Sequence, residues 1–264
     1  MSPIVEKSAV SNKALWTGRI LSGLVIAFML FDAVIHLAKI AAVVQAFQEL
    51  GWPLRLAVPL GVIELLCVAV FLFPRTAMVG AILLTGYLGG AVVTQLRVGH
   101  SLFGETLFPV YVGILLWGGL YLREPRLRRF LPFVKTARRE TPTKKQVWAG
   151  RIVSGLAGLM ILFASSVKLM KSPAMVQGFA QAGFPEHLVM TVGIIELVCA
   201  VIYLIPRTSV LGAILMTGLM GGATATNVRL ADPSMAITIT IGILVWIGLF
   251  FRNSALRELI PVRS

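Results

Sequence analysis

The chain repeats itself: the segment that begins at Trp16 returns at Trp148, and both copies are rich in long apolar runs. The offset between the copies is a constant 132 residues from Trp16 to Arg97, and 38 of these 82 aligned positions are identical. After Arg97 the second copy is three residues shorter. A repeat of this length decides the architecture, because each copy must form the same structural unit.

The apolar runs are long enough to cross a membrane. The chain is 57% hydrophobic and only 13% charged, whereas soluble domains are about one quarter charged. The runs lack a strict two-residue alternation, which favours helices over a transmembrane barrel. Crossing about 30 Å of hydrocarbon takes roughly 20 residues of helix. The sequence predicts eight spans, at 18–38, 57–73, 76–97, 107–123, 150–170, 188–205, 208–230 and 235–251.

The predicted fold is therefore an all-α integral membrane protein with eight transmembrane helices, arranged as two parallel-oriented four-helix bundle repeats. Four spans per copy is an even number, so both copies enter the membrane in the same orientation and are related by an axis along the membrane normal. The predicted organisation is an N-terminal tail, a first repeat, a basic linker, a second repeat and a C-terminal tail, at 1–15, 16–123, 124–147, 148–252 and 253–264.

The placement of positive charge predicts the topology. The net charge is +13. With eight spans, both tails, the central linker and the turns between the second and third spans of each copy lie on one side of the membrane. These segments hold 18 of the 24 Lys and Arg residues. This bias places both termini in the cytoplasm. The basic linker then rests against an anionic lipid leaflet, so the expected partner is the lipid bilayer and not nucleic acid. The other six cations are Lys39, Arg55, Arg97, Lys168, Lys171 and Arg229.

Short motifs between the spans recur in both copies. Residues 39–56 and 171–187 each contain an aromatic residue and a Gly-x-Pro stop, which predicts a short amphipathic helix at the outer interface. Pro-Arg-Thr turns at 74–76 and 206–208 join the second and third spans. Their proline ends one helix or opens the next, and their threonine is predicted to cap the next helix.

A small-residue stripe lies on the third span of each copy. Gly86 and Gly90 recur as Gly218 and Gly222, four residues apart on one helix face. Such stripes let helix backbones approach closely in membranes. The pattern therefore predicts tight packing of the third span.

Two buried carboxyl groups are the sharpest chemical signals. Glu64 and Glu196 lie about ten residues before the Pro-Arg-Thr turns, roughly 15 Å deep at helical rise. An ionised carboxyl at that depth costs several kcal/mol, which marks a functional candidate. The two readings left open are a protonatable group lining a cavity and a neutral, hydrogen-bonded acid that holds the bundle together. The expected neighbours in this buried polar layer are Thr85 and Thr217, as hydrogen-bond partners at similar depth, and Cys67 and Cys199 on the same helix faces.

A second polar layer is predicted near the outer face. Asp32 and His36 are one helical turn apart on the first span, and Lys168 replaces His36 in the second copy. This outer ring could bind an anion or a quinone carbonyl, or it could consist of side chains that snorkel at helix ends. Lys168 is the cationic residue expected nearest to Glu196, but it should lie closer to the outer face. The remaining members of the ring are Thr94, Arg97, Thr226 and Arg229.

No sequence motif assigns a reaction. The chain contains no phosphate-binding loop, dinucleotide fingerprint, nucleophile elbow or HExxH pair. His36, His100 and His187 are far apart in the sequence, so no metal site is predicted, and no catalytic residue can be named. The two cysteines form no C-x-x-C pair and are expected to pack as small apolar residues.

Several segments resemble the DoxX-like family of small four-helix membrane proteins. They are WTGRILSG, the E-L-x-C segment, PRTAxxGAILLTGYLGGA and WGGLYLREPRLRRFLP in the first copy, with SSVKLMK, GGATATNVR and DP in the second. The resemblance covers about 16–132 and 148–261, so the chain looks like a tandem duplication of the family unit. Where the family often has a His before the last Arg of the third span, this chain has Gln95 and Asn227.

The resemblance implies a multi-pass protein of the bacterial cytoplasmic membrane. The wider group includes subunits similar to the membrane part of thiosulfate:quinone oxidoreductases and components associated with redox stress. The leading hypothesis is thus a quinone-linked or redox-associated membrane subunit, with quinone as the candidate cofactor. The alternatives are a small-solute carrier with a site between the repeats, and a non-catalytic assembly partner of a soluble oxidoreductase.

Overall fold

A computed structural model describes residues 11–124, 127, 143–253 and 256. Most of the 1–15 tail, the 124–147 linker and the 253–264 tail lie outside the described residues. The described residues contain no strand, and their α-helices are α1 (Asn12–Ala38), α2 (Ala41–Glu49), α3 (Ala57–Leu72), α4 (Ala77–Val98), α5 (Phe108–Arg123), α6 (Lys144–Leu169), α7 (Pro173–Gln181), α8 (His187–Leu204), α9 (Ser209–Leu230) and α10 (Met235–Arg252).

Eight of these helices are long and apolar enough to cross a membrane, counting the short helical turns at 54–56 and 102–106 with α3 and α5. The predicted fold class is therefore confirmed. The short helices α2 and α7 lie between the first and second spans of each repeat, where the sequence predicts interfacial helices. Each is followed by a glycine in the left-handed region, Gly51 with φ 60° and Gly183 with φ 79°, a conformation that glycine adopts without steric cost.

Local signals explain why the first span of each repeat starts earlier than its apolar run. The side chain of Ser11 accepts a hydrogen bond from the Ala14 amide at the start of α1. Thr143 and Gln146 form a capping box at the start of α6. Both caps satisfy amides that would otherwise lack a partner, so the helices extend into polar sequence.

Each repeat is a closed ring of four helices. In the first repeat α1 packs against α3 and α5, and α4 closes the ring by packing against the same two helices. The second repeat has the same order, α6, α8, α9 and α10. Large side chains such as Met29, Phe71, Leu84 and Leu116 are buried inside the first ring. Outward-facing side chains such as Phe31 remain exposed, as expected for a surface in contact with lipid.

The two sides of the molecule differ. We call the side where α1 and α6 begin and α5 and α10 end the terminal side. The side that carries α2 and α7 is the distal side. At the terminal side, Gly18 abuts the backbone of residues 119 and 123. At the distal side, Gly61 abuts the backbone of α1 at Ala33.

The repeats meet along α4 and α9, which are in backbone contact. A Cβ on Gly89 would lie 2.0 Å from the carbonyl oxygen of Gly218, and one on Gly221 would lie 2.0 Å from that of Gly86. These contacts are reciprocal under the 132-residue offset, which indicates a two-fold relation between the repeats. Gly218 lies against Thr85 and Gly222 against Val93, so α4 and α9 run in the same direction and the axis lies along the helices. The predicted stripe of Gly86 and Gly90, with Gly218 and Gly222, lies at this contact between the repeats, but the closest approach is at Gly89 and Gly221, which the prediction did not include.

The Pro-Arg-Thr turns differ in detail from the prediction. Thr76 and Thr208 are the residues before α4 and α9, but neither side chain accepts a hydrogen bond from its own helix. The Thr76 hydroxyl instead donates to the carbonyl oxygen of Val70 at 2.7 Å, and Thr208 donates to that of Ile202 at 2.8 Å. The predicted capping role is wrong. Each threonine fastens the turn to the preceding helix, whose last carbonyls lack helical partners.

Candidate functional site

Three titratable residues of the first repeat come together inside the bundle. One ligand-type atom from each of Asp32, His36 and Glu64 lies within 4.8 Å of the other two. We call these residues the acidic cluster. His36 Nδ1 lies 3.4 Å from Asp32 Oδ2 and 2.8 Å from the Asp32 carbonyl oxygen. The i, i+4 spacing on α1 puts these two side chains on one face.

A glycine brings α1 and α3 close enough to form the acidic cluster. A Cβ on Gly61 would lie 3.0 Å from the Ala33 carbonyl oxygen and 3.1 Å from His36 Cβ. The two backbones are therefore nearly in contact one turn before Glu64. This approach carries the Glu64 carboxyl under the side chains of α1. It explains why Glu64, which was predicted in the deeper polar layer, lies beside Asp32 and His36.

Glu64 is fully buried and only partly satisfied. Its residue has 0% exposure. The Tyr87 hydroxyl on α4 donates to Glu64 Oε2 at 2.9 Å. The other oxygen, Oε1, is buried without a hydrogen-bond partner. Buried polar atoms without partners are rare in folded proteins, so Oε1 requires an explanation.

The second repeat fills the equivalent site differently. Lys168 stands at the position of His36, and its Nζ lies 2.9 Å from Glu196 Oε2. The two side chains are 12% and 9% exposed. Ser165 donates to the Gly193 carbonyl oxygen at 2.7 Å and so holds α6 against α8. Glu196 thus has a cationic partner supplied by the chain itself.

Both glutamates are separated from the terminal side by an aromatic plug. Phe71 and Tyr203, two turns beyond Glu64 and Glu196 on α3 and α8, have 0% exposure. The guanidinium of Arg123 lies 4.8 Å from the centre of the Phe71 ring, and Arg252 lies 5.1 Å from that of Tyr203. In each repeat a buried aromatic ring packed against a guanidinium therefore lies between the glutamate and the terminal side.

The threonines predicted to partner the glutamates do something else. Thr85 accepts a hydrogen bond from Trp117 Nε1 at 2.9 Å, and Thr217 accepts one from Trp246 at 2.8 Å. Each threonine hydroxyl donates to a backbone carbonyl of its own helix. These bonds tie the third span of each repeat to the fourth. The predicted Thr–Glu hydrogen bonds are wrong, and Tyr87 takes that role in the first repeat.

Lys168 lies in the last turn of α6, but its side chain reaches further into the bundle than the predicted outer ring. The sequence put it in an outer ring, nearer the outer face than Glu196, yet the two form an ion pair. The lysine stem is flexible and four carbons long, and it can extend along α6 toward Glu196. Cys67 and Cys199 are buried one turn from the glutamates, where the sequence put them.

The remaining members of the predicted outer ring do not join the acidic cluster. Thr94 and Thr226 donate to carbonyl oxygens of their own helices at 2.8 and 3.0 Å. Arg97 donates to the carbonyl oxygen of Leu50, and Arg229 donates to that of Ala182 at 2.5 Å. Each arginine thus caps the end of the short helix of its own repeat, where the carbonyl end of the helix dipole favours a cation.

The sequence analysis missed Tyr87 and the acidic cluster as a unit. One signal was available. Among the positions that differ between the copies, Asp32, His36 and Tyr87 correspond to residues 164, 168 and 219, an Ala, a Lys and a Leu. All three differences surround one glutamate that both copies keep.

The fold and these sites define a class: a multi-pass membrane protein of two four-helix repeats, each with a buried carboxyl inside its bundle. The family model described as "DoxX-like family" matches the chain twice, at 20–119 and 152–248. The chain belongs to the DoxX-like family and contains two copies of its unit. No curated protein and no solved structure matches the chain.

Proposed function

We propose that the protein is a membrane subunit of a quinone-linked redox system in the bacterial cytoplasmic membrane. One observation carries the proposal: the acidic cluster, with Tyr87 beside it, gathers protonatable groups in the distal half of the first bundle, with the buried Phe71 between it and the terminal side. Reduction of a quinone consumes protons, and its carbonyl oxygens need hydrogen-bond donors. An imidazole, a phenol and carboxyl groups can serve both needs.

Access to the acidic cluster supports this role. The Asp32 side chain is 30% exposed and that of His36 is 17% exposed, whereas Glu64 is fully buried. A quinone head group arriving from the distal half of the bilayer would therefore meet α1 first. Glu64 and Tyr87, which lie deeper in the bundle, would hold the partly exposed side chains of Asp32 and His36 in place.

The proposed reduction of quinone needs one further component, a source of electrons. A quinone becomes a quinol by taking two electrons and two protons. We propose that the electrons come from a reduced soluble oxidoreductase docked on the distal side, and that the protons enter from that side through the acidic cluster. The bound quinone supplies the redox chemistry, and the chain supplies binding, orientation and proton transfer.

The packing between the repeats argues against the carrier alternative. At Gly89 and Gly221 the backbones of α4 and α9 touch, so a solute has no room at this level of the interface. A non-catalytic assembly partner would need no protonatable cluster. The quinone-binding experiment distinguishes this last alternative from the proposal.

The quinone assignment predicts a specific loss on mutation. Protein extracted with its native lipid should retain quinone, and His36→Ala should lower the retained quinone at least fivefold, because the imidazole is the accessible donor of the acidic cluster. Mass spectrometry of the extracted lipid measures it. His100→Ala is the matched control, since His100 bonds to Gln95 at 2.5 Å and is not part of the acidic cluster. Equal quinone in wild type and His36→Ala protein would reject the proposal in favour of an assembly role.

The proposed location also fixes a topology that labelling can test. With both termini and the linker in the cytoplasm, as the positive charge predicts, a cysteine replacing Lys135 should resist an impermeant maleimide added outside intact cells. A cysteine replacing Lys171, in the loop before α7, should react. Both are introduced after Cys67 and Cys199 are changed to serine. Reaction at 135 and protection at 171 would invert the topology and place the acidic cluster on the cytoplasmic side.

A further inference from the structure

We infer that the acidic cluster of the first repeat is a binding site for a divalent transition-metal ion, and that the Lys168 ammonium replaces this ion in the second repeat. The inference goes beyond the quinone-linked role and does not depend on it. It rests on three observations: the ligand set, an unpartnered oxygen, and the comparison between the repeats.

The ligand set is one imidazole and two carboxylates. Their ligand-type atoms lie within 4.8 Å of one another. Ligands 2.0 Å from a tetrahedral ion are about 3.3 Å apart. His36 Nδ1 lies 2.8 Å from the Asp32 carbonyl oxygen, so this nitrogen donates and Nε2 is the nitrogen available to a metal ion. The three groups, which lie within 4.8 Å of one another, must close by up to about 1.5 Å to hold a tetrahedral ion.

The unpartnered oxygen is the observation that points to a ligand. Glu64 Oε2 accepts the Tyr87 hydroxyl, but Oε1 of this fully buried residue has no hydrogen-bond partner. Asp32 adds a second carboxyl beside it. A buried carboxylate is costly unless it is paired or binds a metal ion. A divalent cation would satisfy Oε1 and compensate both carboxylates at once.

The second repeat provides the internal comparison. Its glutamate meets a covalently attached cation, Lys168, at 2.9 Å. The second repeat has Lys168 but no counterpart of the Asp32 carboxyl, since residue 164 is an alanine. Where the lysine is missing, Asp32 and His36 are both present. The first repeat thus exchanges one fixed positive charge for two metal-ligating groups around the same glutamate.

The ligand chemistry narrows the ion. Mixed imidazole and carboxylate ligands suit Zn²⁺ and its first-row neighbours, while Ca²⁺ and Mg²⁺ prefer oxygen ligands alone. Three protein ligands leave one coordination position open, as in zinc sites that bind water or a carbonyl oxygen. Tyr87 acts behind the site, because its hydroxyl orients Glu64 through Oε2.

The test exchanges the two arrangements within the full-length protein in lipid nanodiscs. After treatment with a chelator, wild type should bind one Co²⁺ or Zn²⁺ per chain, with a tetrahedral Co²⁺ absorption spectrum. Asp32→Ala combined with His36→Lys copies the second repeat and should weaken binding at least 30-fold. Ala164→Asp combined with Lys168→His copies the first repeat and should raise the stoichiometry to two. Inductively coupled plasma mass spectrometry counts the ions.

Two controls keep the result interpretable. Glu64→Gln should also weaken binding, and it covers the case in which the double variant does not fold. Glu196→Gln should leave Co²⁺ binding unchanged, because Glu196 already has its own cation. The inference is overturned if the wild type binds Co²⁺ no more tightly than either the Asp32→Ala/His36→Lys variant or the Glu64→Gln variant. That result would indicate that a proton shared between the carboxyls takes the place of the ion. Retained quinone is measured in the same variants. A variant that loses the metal but keeps quinone, or loses quinone but keeps the metal, shows that the metal site and the quinone site can fail independently.

Discussion

Replacing Lys168 with methionine should destabilise the second repeat by about 3–5 kcal/mol at neutral pH, the range found when one partner of a buried ion pair is removed. The ammonium lies 2.9 Å from Glu196 Oε2, and both side chains are about nine-tenths buried. Methionine keeps most of the volume but leaves the carboxylate without its cation. The two cysteines allow each repeat to be monitored separately, because Cys67 and Cys199 are both buried. A thiol-reactive dye in a Cys67→Ser background therefore reports unfolding around Cys199.

Two controls separate the charge effect from packing. Combining Lys168→Met with Glu196→Leu should recover most of the lost stability, because a buried pair replaced by apolar residues is often neutral or better. His36→Met, tested in chelator-treated protein in a Cys199→Ser background, should cost only about 1 kcal/mol. Glu64 still accepts the Tyr87 hydroxyl there. If Lys168→Met unfolds at the same denaturant concentration as its parent, the ion pair does not stabilise the fold.

The spans and the repeat arrangement could be predicted because they follow from length and symmetry. An apolar run must be about 20 residues long to cross the bilayer, and eight such runs are visible without any knowledge of contacts. An even number of spans in each copy then fixes their relative orientation. The glycine stripe at Gly86 and Gly90 predicted a close contact, but one copy cannot reveal that its partner is the other copy.

The partners of the glutamates could not be predicted by depth alone. Counting from the Pro-Arg-Thr turn puts Thr85 near the depth of Glu64, and the prediction chose it. Tyr87 lies only two residues further along α4, but two residues turn a helix by about 200°. Thr85 therefore faces Trp117 on α5, while Tyr87 faces Glu64 on α3. Rotation about the helix axis decides the contact, and an evenly apolar helix gives no sequence signal for its rotation.

The comparison between the copies carries information that each copy lacks. Residues kept in both, such as Glu64 and Glu196, mark the shared scaffold. Residues that differ in charge, such as His36 and Lys168, mark how each copy compensates its glutamate. Because a buried charge must be compensated locally, such differences are expected to cluster in space. Two of the charge differences between the repeats, at Asp32 and His36, lie one helical turn apart and belong to the acidic cluster.

Replacing Gly89 with alanine should disrupt the contact between the repeats, with a cost of about 3 kcal/mol, at the upper end for overpacking. The added Cβ would lie 2.0 Å from the carbonyl oxygen of Gly218, well inside the 3.0 Å that real Cβ atoms keep. Because the obstacle is backbone, no side-chain rotation can relieve the clash, and α4 and α9 must separate. Cys67 and Cys199 should both become accessible to the dye at a lower denaturant concentration, since each repeat loses its neighbour.

The matched control lies three residues away on the same helix. A Cβ on Gly86 would lie 3.8 Å from Thr217 Cγ2, an ordinary van der Waals contact, so Gly86→Ala should change stability by less than about 1 kcal/mol. The second repeat provides the reciprocal pair: Gly221→Ala should behave like Gly89→Ala, and Gly218→Ala should behave like Gly86→Ala. Helix propensity favours alanine equally at all four positions, so any difference within a pair measures the backbone contact alone. Equal effects at Gly89 and Gly86 would mean that the repeats are not held together by this contact.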